Sequence, residues 1–167
     1  MLSLSKKERL QLYLQYTILD KLDPGNGWGH LAEIVQDGYT SYYSRLTDHI
    51  GDEFDIEMCR FVEDVLSMFD GLQWPYIQKG IPVPSELKFI GFDGNNETDL
   101  MAYARFLRRD RRWESLEVFD NCNSHFPMRE AYARMLPVWR AAGSPSEVGK
   151  ELAENILAAR VHPSHLD

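Results

Sequence analysis

The sequence predicts an all-α fold: a single multihelical domain over residues 1–167, of about six main helices, with a long irregular connection at about 72–94. Three observations carry this. Apolar residues recur at three- and four-residue spacing in four windows, the period of a helix buried on one face. Ser5-Lys6-Lys7-Glu8 and Ser144-Pro145-Ser146-Glu147 read as helix starts, a serine cap with an acid three residues on. Pro75, Gly80, Pro82, Pro84, Gly91 and Gly94 cluster between the third and fourth windows, where they interrupt periodic structure.

Each helix follows in order. The first starts at Ser5 and stops near Leu22, before the breaker Asp23-Pro24-Gly25. Its apolar residues cover most of the circumference. The second follows Asn26-Gly27-Trp28-Gly29 and carries Leu31, Ile34, Val35, Tyr39, Tyr42 and Leu46, with Gly38 inside the stripe. The third shows Met58, Phe61, Val62, Val65, Leu66 and Phe69 on one side and is expected to end near Asp70-Gly71, where glycine can take a left-handed cap. The fourth follows Asn95-Asn96 as caps and carries Leu100, Met101, Tyr103, Ala104 and Leu107. The fifth begins near Pro127 and should kink at Pro137; the sixth begins at the Ser144 cap.

Composition narrows the function. The 167 residues carry 26 acids against 18 bases, a formal net charge of −8, so nucleic acid is a disfavoured partner. Cys59 and Cys122 are too few for a disulfide framework and point to a reducing compartment. No apolar run approaches the roughly 18 residues of a membrane span. Lys6, Lys7, Glu8, Arg9 and Gln11 interrupt the N-terminal stretch, so the expectation is a cytoplasmic protein with no membrane partner. No cofactor is implied.

Candidate chemistry gathers in two places. Asp120-Asn121-Cys122-Asn123-Ser124-His125 brings a carboxylate, a thiol, a hydroxyl and an imidazole into six residues. A nucleophile, a base and an orienting group must converge in space to react, and Asp120, Asn123, Ser124 and His125 are the binding or catalytic candidates. A hydrogen-bonded loop leading into the fifth helix is the plainer reading. No metal site is expected, since Cys122 and His125 lack further ligands and His30, His49, His162 and His165 have no matching spacing. Second, Arg105, Arg108, Arg109 and Arg112 fall at helical spacing on the fourth helix. They could hold an anion through guanidinium forks, or pair with the acidic run Asp48, Asp52, Glu53, Asp55 and Glu57. Asp93-Gly94-Asn95-Asn96-Glu97-Thr98-Asp99 starts like a calcium loop. It fails at the sixth position, Thr98, and at the twelfth, Ala104, and reads as a turn capping the fourth helix.

The chain resembles the YfbU family of uncharacterised bacterial proteins. The resemblance rests on Leu22-Asp23-Pro24, Gly38-Tyr39, Cys59-Arg60-Phe61-Val62 with Met68-Phe69, Phe89 to Asn95, Tyr103-Ala104-Arg105-Phe106, and Asn123 to Met128 followed by Tyr132, Arg134-Met135-Leu136 and Trp139. It spans about residues 8–140; the tail past Gly143 departs from it. The resemblance implies a multihelical cytosolic fold that self-associates, and it brings no activity, substrate or catalytic residue.

These readings favour a non-catalytic, self-associating interaction protein. A small hydrolase or transferase using the 120–125 loop is the alternative, and nucleic-acid or anion binding through the arginines is a weaker one. The first helix supplies the expected homo-oligomer interface, dimeric or higher, with Leu12, Tyr16 and Leu19 as its residues. No small-molecule ligand is specified.

Overall fold

The computed structural model describes residues 2–161, so His162 and His165 lie outside it. The fold is all-α, with six α-helices among the described residues. The chain forms two compact units, Met1–Glu53 and Phe54–Asp167.

In the first unit, α1 (Lys6–Leu22) begins with the expected capping box. The Glu8 amide donates to Ser5 Oγ at 3.3 Å, and the Ser5 amide donates to Glu8 Oε2 at 2.7 Å. α2 (Trp28–Asp37) has a glycine, Gly27, at its cap position. Asp20 of α1 takes over part of the capping role, its carboxylate accepting from the Gly29 amide at 2.9 Å. α2 stops at Gly38 instead of running on to Leu46: Gly38 is left-handed at φ 74° and its amide donates back to Ile34. Residues Thr40–Leu46 form a 3-10 turn. Tyr16, Ile34, Val35, Tyr43 and Leu46 make the unit's core, with Leu12, Tyr13 and Trp28 packed on it.

The second unit holds α3 (Ile56–Gln78), α4 (Thr98–Arg109), α5 (Arg129–Ala141) and α6 (Lys150–Ala158). Asp55 caps α3, accepting from the Glu57 and Met58 amides at 2.7 and 3.2 Å. The sequence places the end of this helix at Asp70-Gly71 and an irregular connection from 72. The helix in fact continues to Gln78, through Pro75. Gly71 is there for packing. A Cβ on it would lie 2.8 Å from the Pro145 carbonyl oxygen and 3.2 Å from Val148. Pro75 has no N–H to give the Gly71 carbonyl, four residues back. The Val148 amide donates to that carbonyl instead, at 3.0 Å. The proline's gap in the helix is closed by a distant segment.

The same contact moves α6. Ser144-Pro145-Ser146-Glu147 does not open it; Gly149 is its cap residue, without a side-chain bond. Residues 144–148 are drawn across α3 instead: the Pro145 carbonyl accepts from the Trp139 indole at 3.1 Å and Val148 is buried. α5 begins at Arg129, two residues after Pro127, and runs through Pro137.

The connection after Gln78 is irregular but built. It contains a 3-10 turn at Ser85–Leu87 and buries Val83, Leu87, Phe89 and Phe92. Isolated parallel bridges join Phe89 to Val118 and Phe92 to Asn123. Phe69, Phe89, Phe92 and Tyr132 meet at ring-centroid distances of 5.4 to 5.8 Å, several edge to face.

Replacing Gly71 with alanine tests which force rules this site. On helix propensity alone the change would stabilise by about 0.5–1 kcal/mol. Because the new methyl meets backbone, Gly71→Ala should instead destabilise by about 1–3 kcal/mol in denaturant titration.

Candidate functional site

The 120–125 loop crosses the 89–97 segment at Gly91. Gly91 has φ 93°, and a Cβ built on it would overlap the backbone of Cys122, so only glycine fits. On the other side of the crossing, Asp120, Asn121 and Cys122 have φ of 35°, 49° and 65°. Three consecutive left-handed non-glycine residues cost about 1–2 kcal/mol each. Surrounding bonds hold them. The Phe92 amide donates to the Cys122 carbonyl at 3.1 Å, Arg105 Nε donates to the Asn121 carbonyl at 2.7 Å, and the Asn123 amide donates back to Asp120 at 3.0 Å.

The candidate residues are brought together here, mainly as structural partners. Asn123 Oδ1 accepts from the Gly94 and His125 amides, both at 3.1 Å. Ser124 is buried; its amide donates to the Phe92 carbonyl and its hydroxyl to the Phe126 carbonyl at 2.6 Å. His125, itself left-handed at φ 62°, places Nε2 2.5 Å from Asp120 Oδ2, with both side chains more than half exposed. Cys122 is fully buried, and burial pushes its thiol up, away from the thiolate a nucleophile needs.

Beside this crossing the Asp93–Glu97 segment forms the polar turn expected ahead of α4. Asp93 accepts from the Asn95 amide at 2.9 Å and from the Asn96 side chain. These bonds, the Asn95 amide foremost, hold its carboxyl below the usual carboxylate range. The expected caps of α4, Asn95 and Asn96, are absorbed into this turn; Glu97 is the cap residue, with no side-chain bond to its own helix. Its carboxylate faces α5, accepting from the Met128 amide at 3.0 Å and the Arg129 amide at 2.8 Å, and also from the Asp93 amide at 3.0 Å. Glu97 therefore caps a helix thirty residues downstream. Around it lies a cavity of about 450 Å3, walled by Phe54, Met58, Leu100, Pro127 and Arg129.

Gln73 joins both segments to α3. Fully buried, it donates to the Leu87 and Glu117 carbonyls at 3.0 and 2.9 Å and accepts from the Glu117 amide at 2.7 Å.

The arginines do not form one stripe. α4 ends at Arg109 and Arg111 turns left-handed at φ 63°, so Arg112 belongs to the following loop. Arg105 is engaged with Asn121, and Arg108 reaches the Leu116 carbonyl at 3.5 Å. Arg112 lies over the Trp113 ring at 4.6 Å and pairs with Glu63 at 3.4 Å. Arg109 is exposed. Of the acidic run, Glu57 pairs with Arg60 at 2.7 Å. Among the described residues, no cluster of His, Cys, Asp and Glu could hold a metal ion, and no helix is long and apolar enough to cross a membrane.

The expected interface residues divide. Tyr16 is buried, stacked on Trp28 at 6.1 Å, and Leu12 packs on the same core; both serve the unit's interior. Leu19 is exposed, but the continuous exposed row is Leu10, Leu14, Ile18 and Leu22. Of the three expected interface residues, Leu12 and Tyr16 thus face the unit's interior, and Leu19 stays at the surface.

Fold and site define an all-α protein with a hydrogen-bonded polar turn at its most constrained crossing. The chain belongs to the YfbU family, whose domain matches residues 2–159 across both units. It is 39% identical over 149 residues to the UPF0304 protein MJECS11 of Methanocaldococcus jannaschii, covering 83% of this chain and 88% of that protein. It is 29% identical over 165 residues to the UPF0304 protein PM1500 of Pasteurella multocida, covering 95% of this chain and all of the relative. The first of these is archaeal, so the family is not confined to bacteria.

Two substitutions probe the site's construction. Gln73→Leu leaves the Leu87 carbonyl and the Glu117 amide without partners, while the Glu117 carbonyl keeps the Phe89 amide, and at about 1–3 kcal/mol for each buried group should cost roughly 2 kcal/mol or more in denaturant titration. Asp93→Asn tests linkage. A carboxyl whose folded pKa is depressed stabilises fully above its unfolded value, near 4, and loses that contribution as pH falls towards the folded one. The variant should be less stable than the parent at pH 7, and the gap should narrow below about pH 4.

Proposed function

We propose that the chain is a non-catalytic interaction protein of the cytoplasm that works by self-association through α1. One observation carries this. Leu10, Leu14, Ile18 and Leu22 are 56%, 52%, 57% and 76% exposed, four residues apart, on the face of α1 opposite Tyr16 and Leu12. A helix that needed only its own unit would present polar residues there. A row at four-residue spacing is also the ridge by which two like helices interlock, and a two-fold axis lets one patch serve both copies. Fully burying each such side chain is worth about 1.5–3 kcal/mol.

Other features support this reading over hydrolysis or group transfer at the 120–125 loop. The Ser124 hydroxyl is spent on the Phe126 carbonyl, the Cys122 thiol is sealed from solvent, and the Asp120–His125 pair stands in water. Anion binding through the 105–112 arginines is weakened by the engagement of Arg105 on α4 and Arg112 in the loop after it. Both cysteines are free, in keeping with a reducing compartment.

Light scattering during gel filtration tests the proposal. At micromolar concentration the mass should be a multiple of 19.4 kDa; a monomer would refute it. Leu14→Glu with Ile18→Glu should return the mass to one chain with the helical circular dichroism intact. Leu12→Glu with Tyr16→Glu should unfold the first unit instead, since those residues fill its core.

A further inference from the structure

The first unit also holds a cleft of about 550 Å3, lined by the residues ahead of α1, the first turn of α1, and the 3-10 turn. Its polar lining is Ser3, Lys6, Arg9, Thr40 and Tyr43, with Leu2 and Leu4 as its apolar wall and Gly38 beside Arg9. The lining contains two cations, three hydroxyls and no carboxylate.

The geometry of Arg9 sharpens it. Gly38 is left-handed and lacks a Cβ, and the Arg9 guanidinium occupies the space a Cβ would take. Half-buried, the group is fixed by backbone on one side. Neither Arg9 nor Lys6 forms an ion pair among the described residues. Glu8, the nearest acid in sequence, is committed to Ser5 in the capping box. A guanidinium carries five N–H donors, and with no ion-pair partner among the described residues that of Arg9 has them available to a bound anion. Tyr43 adds an independent sign. Its side chain is 3% exposed, yet it lines the cleft, and its hydroxyl lies 3.8 Å from the Cβ position on Gly38. Among the described residues that hydroxyl has no hydrogen-bond partner.

We propose that this cleft binds the phosphate group of a small phosphorylated ligand. The Arg9 fork and the Lys6 ammonium take the phosphate oxygens, as guanidinium and ammonium groups do. Thr40 and Tyr43 add neutral donors, and Leu2 and Leu4 lie against the rest of the molecule. The volume falls within the range of small-ligand sites, about 300–1,000 Å3. All the lining residues belong to the first unit. Lys6 lies one turn ahead of Leu10 on the exposed row of α1, while Arg9, Thr40 and Tyr43 lie off it, so titration with phosphate and the mass of the particle report the two proposals separately.

Isothermal titration of the full chain with phenyl phosphate, inorganic phosphate and benzoate tests the proposal. Phenyl phosphate should bind saturably and more tightly than inorganic phosphate, because it also covers Leu2 and Leu4. Arg9→Met and Lys6→Gln should each weaken it at least tenfold with unchanged circular dichroism. If Arg9→Met does not fold, Lys6→Gln at an exposed position decides alone. Absence of saturable binding at millimolar phenyl phosphate would overturn the proposal, as would binding indifferent to Lys6→Gln, or benzoate binding as tightly as phenyl phosphate.

Discussion

The carboxamide of Gln73 is the interaction on which the second unit's loops depend. Two irregular segments, around 87 and 117, lie 14 and 44 residues from Gln73 in the chain and have no sheet to join them. Burying them exposes their carbonyls and amides to an apolar surrounding, which is costly for any group left unpaired. An amide side chain has both donors and an acceptor, so one residue serves both segments at once. The bridges at Phe89 and Phe92 and the aromatic cluster beneath them are built on that anchorage.

A second theme recurs across both units: exposed helix starts are served by acids from elsewhere. Asp20 of α1 accepts from the second residue of α2, and Glu97 accepts from the first residue of α5 and the one before it. A carboxylate there satisfies free amides and also sits at the positive end of the helix dipole. Each bond thus fixes two helices relative to each other as well as capping one.

What was legible in the sequence follows the range of the forces. The cap at Ser5, the stop at Pro24 and the stripes of α3, α4 and α5 are set within a turn or two, and the sequence shows them. Gly71 and Pro75 read locally as a helix end, and Ser144 to Glu147 as a helix start. Both readings fail for one reason, the contact between Gly71 and Pro145–Val148, which no local pattern records. Gly38 was visible as a glycine in a stripe, but its left-handed geometry was not. The 120–125 loop was singled out by composition. Its role as a strained crossing depends on Gly91, thirty residues away. Gln73 carries no signal beyond being polar, Glu97 reads as part of a turn before α4 with nothing local to point to α5, and Arg9 has meaning only with Gly38 and Tyr43 beside it.

The handover at the Gly71 carbonyl has a consequence for how the molecule opens. In an ordinary helix a departing neighbour leaves the ladder of backbone bonds intact. Here the ladder is already missing a rung at Pro75, and the Val148 amide replaces it. If the arm carrying α6 lifts away, α3 keeps an orphan carbonyl in the middle of its buried face, and Trp139 loses the acceptor at Pro145 at the same moment. Release of the arm and damage to α3 are therefore one event, so the C-terminal arm is coupled cooperatively to the central helix instead of fraying on its own. The Val148 amide should be a hydrogen-exchange reporter of that coupled opening.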